Sequence, residues 1–334
     1  MPEYIENLDL RKIAVDYMKA MASVEWTATK RIDYSNVNKT LIYEPGQKYL
    51  GMIYNNNRNG LENFKMALDA DGNYVLDDIG WDTAPGNSCA TSIKHAWQLI
   101  SPDVEYEYSI NMMPYYAETH VLPIGRIRWD AYDGRNTTNT VLAATDINDL
   151  YEAYAMALPG DGFMRYLDTG GHALMVTLPA KVVRREDGTI DPDLSEVYLT
   201  DQNNPINTRR EYPSSWKVDR PLTFTKSYSE GWLPVTVKEL VEGRAAAPVF
   251  SLKTGEKAED TVLSCNYCLM TVALKLVGAD GEPLTEPLVF HPYLREVALS
   301  EKIAALREKA GSAARLLLDA EVGLGKSAFD IPFC

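Results

Sequence analysis

The sequence predicts an α+β protein in two parts, a larger mixed part over residues 1–245 and a small β-rich part over 246–334, the latter sandwich-like. Three observations predict it. A lone cysteine, Cys89, opens an amphipathic helix; a strand–glycine turn–strand pattern and a further strand pattern come after that helix; and near residue 241 the composition changes. There Glu242-Gly243-Arg244-Ala245-Ala246-Ala247-Pro248 leads into runs of β-branched and apolar residues. With 334 residues, 46% of them hydrophobic, the chain can bury a substantial core.

Taken in order, Leu10, Ile13, Ala14, Tyr17, Met18 and Met21 recur at helical spacing, which predicts a helix over 7–23 that packs across the part after it. Trp26 to Thr40 is polar and reads as irregular, and Tyr43-Glu44-Pro45-Gly46-Gln47 reads as a turn. Asp69-Ala70-Asp71-Gly72-Asn73 opens like a calcium loop. Tyr74 and Gly80, however, stand where that loop needs a glycine and a final glutamate, so the stretch reads as a turn before the short strand 74–76. In the cysteine helix, Ala90, Ile93, Ala96, Trp97 and Ile100 form one apolar stripe, with Lys94 and Gln98 facing out. Pro85-Gly86-Asn87-Ser88 is its start signal and Ser101-Pro102 its stop. Residues 104–144 show no long helical stripe, whereas Ile147, Leu150, Tyr151, Tyr154 and Leu158 place a second helix over 146–158.

Strands are expected on either side of Asp168-Thr169-Gly170-Gly171, so His172 stands at the beginning of one of them, and again over 196–203. In the last part, Val262–Val277, Leu284–Phe290, Arg315–Val322 and Ala328–Phe333 read as strands. Ser300–Ala310 reads as a helix whose alternating charges predict a solvated face.

The net charge of −14 argues against a nucleic-acid footprint or a polybasic membrane patch. No apolar run is long enough to span a bilayer. Met1-Pro2-Glu3-Tyr4-Ile5-Glu6 lacks the basic-then-apolar pattern of an export signal, which leaves a cytoplasmic protein or a processed exported one. Four cysteines, 89, 265, 268 and 334, form no dense disulfide framework. Cys265-Asn266-Tyr267-Cys268 has the spacing of a zinc half-site or a redox pair. It has no second pair and sits in a strand pattern, so its reading is structural and no metal site is expected.

Cys89 is different because the first N–H groups of a helix lack partners and the dipole there is positive, both of which favour a thiolate. Buried cysteine is also a common small core residue, so position alone leaves both readings open. A thiolate nucleophile needs a base, and the base needs a third group to orient it. His95 lies six residues into the cysteine helix and is rotated away, while His120 and His291 lie in unpatterned segments. His172 is therefore the candidate base, followed by Asp201 or Gln202 as third member. Neighbours on a strand face opposite ways, so one of the two can reach it, and Asp201 is preferred because a carboxylate also stabilises an imidazolium.

At this point the chain resembles the NlpC-type cell-wall peptidases, a branch of the papain-like cysteine hydrolases. Gly51-Met52-Ile53-Tyr54 is similar to their G-x-x-Y segment and Ser88-Cys89 to their nucleophile. Leu158-Pro159-Gly160-Asp161 is similar to their L-x-P-G-D turn, and Gly171-His172-Ala173-Leu174-Met175-Val176 to their histidine strand. The resemblance spans roughly 45–205. It implies a papain-like hydrolase domain, Cys89 as nucleophile, His172 as base, Tyr54 as a substrate or oxyanion contact, and a peptide or peptidoglycan-fragment substrate. It implies no metal or organic cofactor. One departure is Ser88, which stands beside the cysteine where the family usually carries an aspartate that binds a free substrate amine. Two other readings share the residues: a transglutaminase-like acyl transferase, and a binding protein that keeps the fold without turnover.

Overall fold

A computed structural model describes residues 3–105, 108–114, 120–132, 137–208, 211–255, 260–310 and 315–332; Phe333 and Cys334 lie outside the described residues. The architecture is mixed α+β. The chain forms two compact units. One comprises 6–97 and 103–245, and the other comprises Tyr4–Ile5, Gln98–Pro102 and the chain from Ala246 onward.

The larger unit is built on a six-stranded antiparallel sheet in the order Ser214–Thr223, Glu196–Asn207, Gly170–Lys181, Gly162–Leu167, Leu233–Val237, Val121–Pro123. Its central strand is buried at every residue from Ala173 to Thr177, which requires cover on both faces. On one face Leu174 and Val176 pack with Phe163, Val197 and Leu199, under Val141, Leu142, Leu150, Tyr151 and Tyr154 from two helices. Helix Leu10–Ser23 lies against three of the strands, and Asp9 caps it by accepting the Lys12 N–H at 3.0 Å. The cysteine helix is tied to the sheet at Trp97, whose indole N–H donates to the Gly160 carbonyl at 2.8 Å.

Two segments of this unit depart from expectation. Residues 137–144 form a helix, although the sequence shows no stripe there. The buried positions are Thr138, Val141, Leu142 and Thr145, spaced three and four apart, and threonine at two of the four makes an inward face read as polar. Trp26 likewise lies in the strand Glu25–Ala28, which pairs with Lys48–Leu50 and Asn73–Tyr74 instead of running irregularly. Its indole packs with Tyr43, Tyr49, Phe64 and Tyr74 in one aromatic cluster.

The Leu158-Pro159-Gly160-Asp161 turn is held by its aspartate. Asp161 is buried and accepts from the Leu158 N–H at 2.7 Å, from Arg11 at 2.9 Å and from the Thr236 hydroxyl at 2.6 Å. Burial raises its pKa, against the opposing pull of Arg11 and the three donors. Removing this acceptor leaves the Leu158 N–H and the Thr236 hydroxyl without it and Arg11 without its counter-charge, though Arg11 still donates to the Pro159 carbonyl at 2.8 Å, so Asp161→Ala is expected to lower the stability of the unit by about 3 kcal/mol. A denaturant midpoint equal to that of the parent would show the ion pair to be dispensable.

The smaller unit contains a three-stranded sheet (Phe250–Lys253, Val262–Leu269, Leu294–Ala298) and a four-stranded one (Leu288–Phe290, Thr271–Val277, Arg315–Val322, Gly325–Pro332). Both contribute to one core. The expected single strand Val262–Val277 is broken at Met270, where it passes from one sheet to the other. Burial falls on Leu263, Cys265, Tyr267 and Leu269 before the break and on Val272, Leu274 and Leu276 after it, so the inward parity changes by one residue. Cys265 faces in and Cys268 the other way, which separates the two sulfurs across the strand. Helix Ser300–Ala310 is charged on its outer side, yet Ile303 and Leu306 bury its inner side. The expected solvated face is present, and opposite it lies an apolar pair that the charge alternation masks.

Candidate active site

The nucleophile candidate is placed by a short backbone zipper. Asn55 N–H donates to the Asn87 carbonyl at 3.0 Å and Asn87 N–H to the Ile53 carbonyl at 3.1 Å, which brings Tyr54 alongside the residues before Cys89. Only a glycine fits at 86, since a Cβ there would stand 2.7 Å from both the Asn55 amide and the Ile53 carbonyl oxygen. The Tyr54 N–H in turn donates to the buried Tyr43 hydroxyl at 3.0 Å, so the aromatic cluster supports this wall of the site. Ser88 starts the helix: its carbonyl accepts from Ser92 N–H at 2.9 Å, and its hydroxyl lies 3.1 Å from that of Thr91.

Cys89 is the first residue of helix Cys89–Gln98 and is 7% exposed. Burial opposes its ionisation, but the charge and hydrogen bond of His172 and the backbone N–H groups of Ala173 and Ala90 outweigh burial and lower its pKa below the usual thiol value. For His172 burial likewise opposes charge, while the thiolate of Cys89 and the carboxylate of Asp201 raise its pKa to about 9. Both shifts favour one state, a thiolate beside an imidazolium. His172 Nε2 lies 3.0 Å from Asp201 Oδ2, which leaves Nδ1 as the ring nitrogen for the thiol.

Strand pairing explains why the acid is residue 201. Leu199 pairs with Val176 and Thr200 with Met175; one more step sets Asp201 opposite Leu174, on the same face as His172 two residues away. Gln202 faces elsewhere: its amide donates to the Met52 carbonyl at 2.8 Å and approaches the Ser215 hydroxyl at 3.4 Å. The structure thus brings Cys89, His172 and Asp201 together, with Tyr54 and Ser88 beside them, and keeps Gln202 apart. The remaining histidines are engaged away from the thiol: His95 Nε2 is 2.9 Å from the Arg58 carbonyl, His120 is 3.7 Å from Asp103, and His291 Nδ1 is 2.9 Å from the Met270 carbonyl.

A cleft of about 220 Å³ opens onto Cys89 between Tyr54, Trp81, Tyr108, Ser109 and Tyr166. Four of these five walls carry aromatic rings, and none is a carboxylate. Burial, followed by the charge of Cys89, raises the pKa of Tyr54, which keeps its hydroxyl a neutral donor. Trp81, Tyr108, Ser109 and Tyr166 had no signal in the sequence, because they come from separate loops and strands that only folding gathers. Among the described residues no cluster of metal-ligating side chains is present, and no helix is long and apolar enough to cross a membrane. No known protein family, curated protein or solved structure matches this chain.

These environments lead to an expected result with a haloacetamide. Cys89 should react fastest of the cysteines near neutral pH, and its rate should reach half-maximum at a lower pH than that of Cys265, whose pKa burial raises. Peptide mapping in which Cys265 is labelled first, with Cys89 inert in the folded protein, would count against an activated thiol.

Proposed function

We propose that the protein is a cysteine hydrolase of the papain-like, NlpC type that cleaves peptide amides, with bacterial peptidoglycan stem peptides as the substrate class. The observation that carries this reading is the Cys89–His172–Asp201 line, in which a helix-terminal thiol and an imidazole shift each other toward the ion pair. The order of motifs along the chain supports the family, and the cysteine helix tied to an antiparallel sheet that carries the histidine suits a papain-like domain.

In the cycle this geometry would run, the Cys89 thiolate attacks the scissile carbonyl carbon. The negative charge that develops on oxygen is met by N–H groups at the start of the cysteine helix and by the Tyr54 hydroxyl. His172 gives its proton to the leaving nitrogen and then, as neutral imidazole, takes one from the water that hydrolyses the thioester. Asp201 holds the ring and compensates its charge throughout. Among the described residues no carboxylate lines the cleft, and Ser88 stands beside the nucleophile, which favours a cut that does not require recognition of a free amine.

The test is turnover on a set of muropeptides read by mass spectrometry, with an added amine present. Release of free amine without incorporation of the added one is the expected result. Incorporation would favour an acyl transferase, and no turnover on any member would remove the substrate class. The rate should fall on the alkaline side as pH passes about 9, where His172 loses the proton that the leaving group needs. On the acid side it should fall below the ordinary thiol range, where the Cys89 thiolate takes up a proton.

A further inference from the structure

Asp201 is fully buried, and one of its oxygens serves His172. Its other oxygen, Oδ1, has no hydrogen-bond donor. The only other cation paired with it among the described residues is Arg220, whose Nη2 lies 3.8 Å from Oδ1 and whose own buried Nε also lacks an acceptor. The unsatisfied carboxylate oxygen thus stands opposite a guanidinium nitrogen across a gap slightly longer than a hydrogen bond, and the same guanidinium carries a buried N–H without an acceptor. We propose that Arg220 is a positioning residue for the active site, acting through Asp201: it compensates the buried carboxylate and fixes it against His172.

The backbone is shaped to present this arginine. Arg220 pairs with Leu199, but Asp201 pairs with Lys217, so the arginine's strand carries an extra residue at a bulge. Beside it Asp219 adopts a left-handed conformation with φ of 50°, which is strained for a non-glycine residue. That conformation is held from three sides: the Thr177 hydroxyl donates to Asp219 at 2.7 Å, Asp219 N–H donates to the Thr200 hydroxyl at 3.1 Å, and Lys19 pairs with its carboxylate at 3.0 Å. Because Arg220 is paired with Leu199, it shares the face that carries Leu199 and Asp201. Lys217 and the Lys19–Asp219 pair are the other charges on the flanking elements; among the described residues neither lysine forms an ion pair with Asp201, Lys217 being its neighbour through the backbone register alone. The Arg220 side chain is 26% exposed, whereas that of Asp201 is fully buried.

This inference rests on the hydrolase reading, and the test separates the two because it needs no substrate. Arg220→Met keeps an apolar stem and removes the charge, and Arg220→Lys keeps the charge with a shorter reach. Both are compared with the full-length parent after thermal melts confirm folding. Cys89 alkylation by iodoacetamide is followed against pH, and His172 is titrated by NMR of the protein labelled at histidine. In Arg220→Met the alkylation rate near neutral pH should fall about tenfold and the His172 midpoint should move down by about one unit from its parent value, because a less firmly held carboxylate supports the imidazolium less well. Arg220→Lys should recover most of both effects. A direct effect of a lost positive charge would instead move the His172 midpoint up. An upward shift in either variant, parent values in both readouts in Arg220→Met, or a loss in Arg220→Lys as large as that expected for Arg220→Met, would overturn the proposal while leaving the hydrolase reading intact. A parent in which Cys89 titrates as an ordinary thiol would overturn the hydrolase reading itself, and the role of Arg220 with it.

Discussion

Cys89→Ala should abolish turnover, with a loss on the order of 10⁴-fold or more, equivalent to about 5.5 kcal/mol of transition-state stabilisation. Alanine removes the only atom able to form the thioester but leaves the helix start, the zipper through Asn87 and the cleft walls in place. Folding should therefore be nearly unchanged, and the variant should still bind muropeptide. The same mass-spectrometric assay decides the matter, with a melting curve beside it. If Cys89→Ala turned over at the rate of the parent, the nucleophile would lie elsewhere, whatever the environment of the thiol.

The second large effect separates two neighbouring residues. Asp201→Ala removes the acceptor of the His172 Nε2–H and the charge that supports the imidazolium, and should cost on the order of 10²- to 10⁴-fold in turnover. Asp201→Asn should fall between the parent and the alanine variant, since an amide can orient the ring without compensating its charge. Gln202→Ala should leave turnover within about tenfold of the parent. Its amide holds the Met52 carbonyl, and that carbonyl also accepts from the Trp216 indole at 3.1 Å, so the change removes buried packing without orphaning the acceptor. Its cost should appear as about 1–3 kcal/mol of stability in denaturant unfolding. If Gln202→Ala abolished turnover while Asp201→Ala left it intact, the third member would be the amide, and the imidazole would have to turn to reach it.

Much of the local structure was legible in the residues because period alone carries it. The helices Leu10–Ser23 and Ile147–Met156 each bury one clear stripe, and the hairpin around Asp168-Thr169 is announced by its glycines; the cysteine helix Cys89–Gln98 is also where its apolar spacing puts it, but it is buried at every residue except Lys94, so Gln98, expected to face out, lies inside. The thiol's place in the first turn of its helix followed from the same pattern. Helix Thr137–Ala144 and strand Glu25–Ala28 escaped notice because threonines face inward in the first and a single tryptophan carries the second. The break at Met270 escaped because one continuous apolar run can serve two sheets in turn.

What the sequence by itself determined is therefore the set of elements and the chemistry each carries: a helix led by Cys89, a strand entered at His172, and a strand holding adjacent polar candidates at 201 and 202. Which of those two meets the histidine was decided by tertiary structure alone. Alternation says that they face opposite ways, but Val197, Leu199, Thr200, Asp201 and Gln202 are all fully buried, so both sides of the strand are inside and no polar face marks the outer one. Only the pairing register with the histidine strand selects Asp201. The same holds for Arg11 against Asp161 and Arg220 against Asp201, 150 and 19 residues apart, which are brought together by strand order and a bulge rather than by any local pattern. Interactions at such separations depend on how the sheet closes, and a periodic signal read over a dozen residues carries no record of that closure.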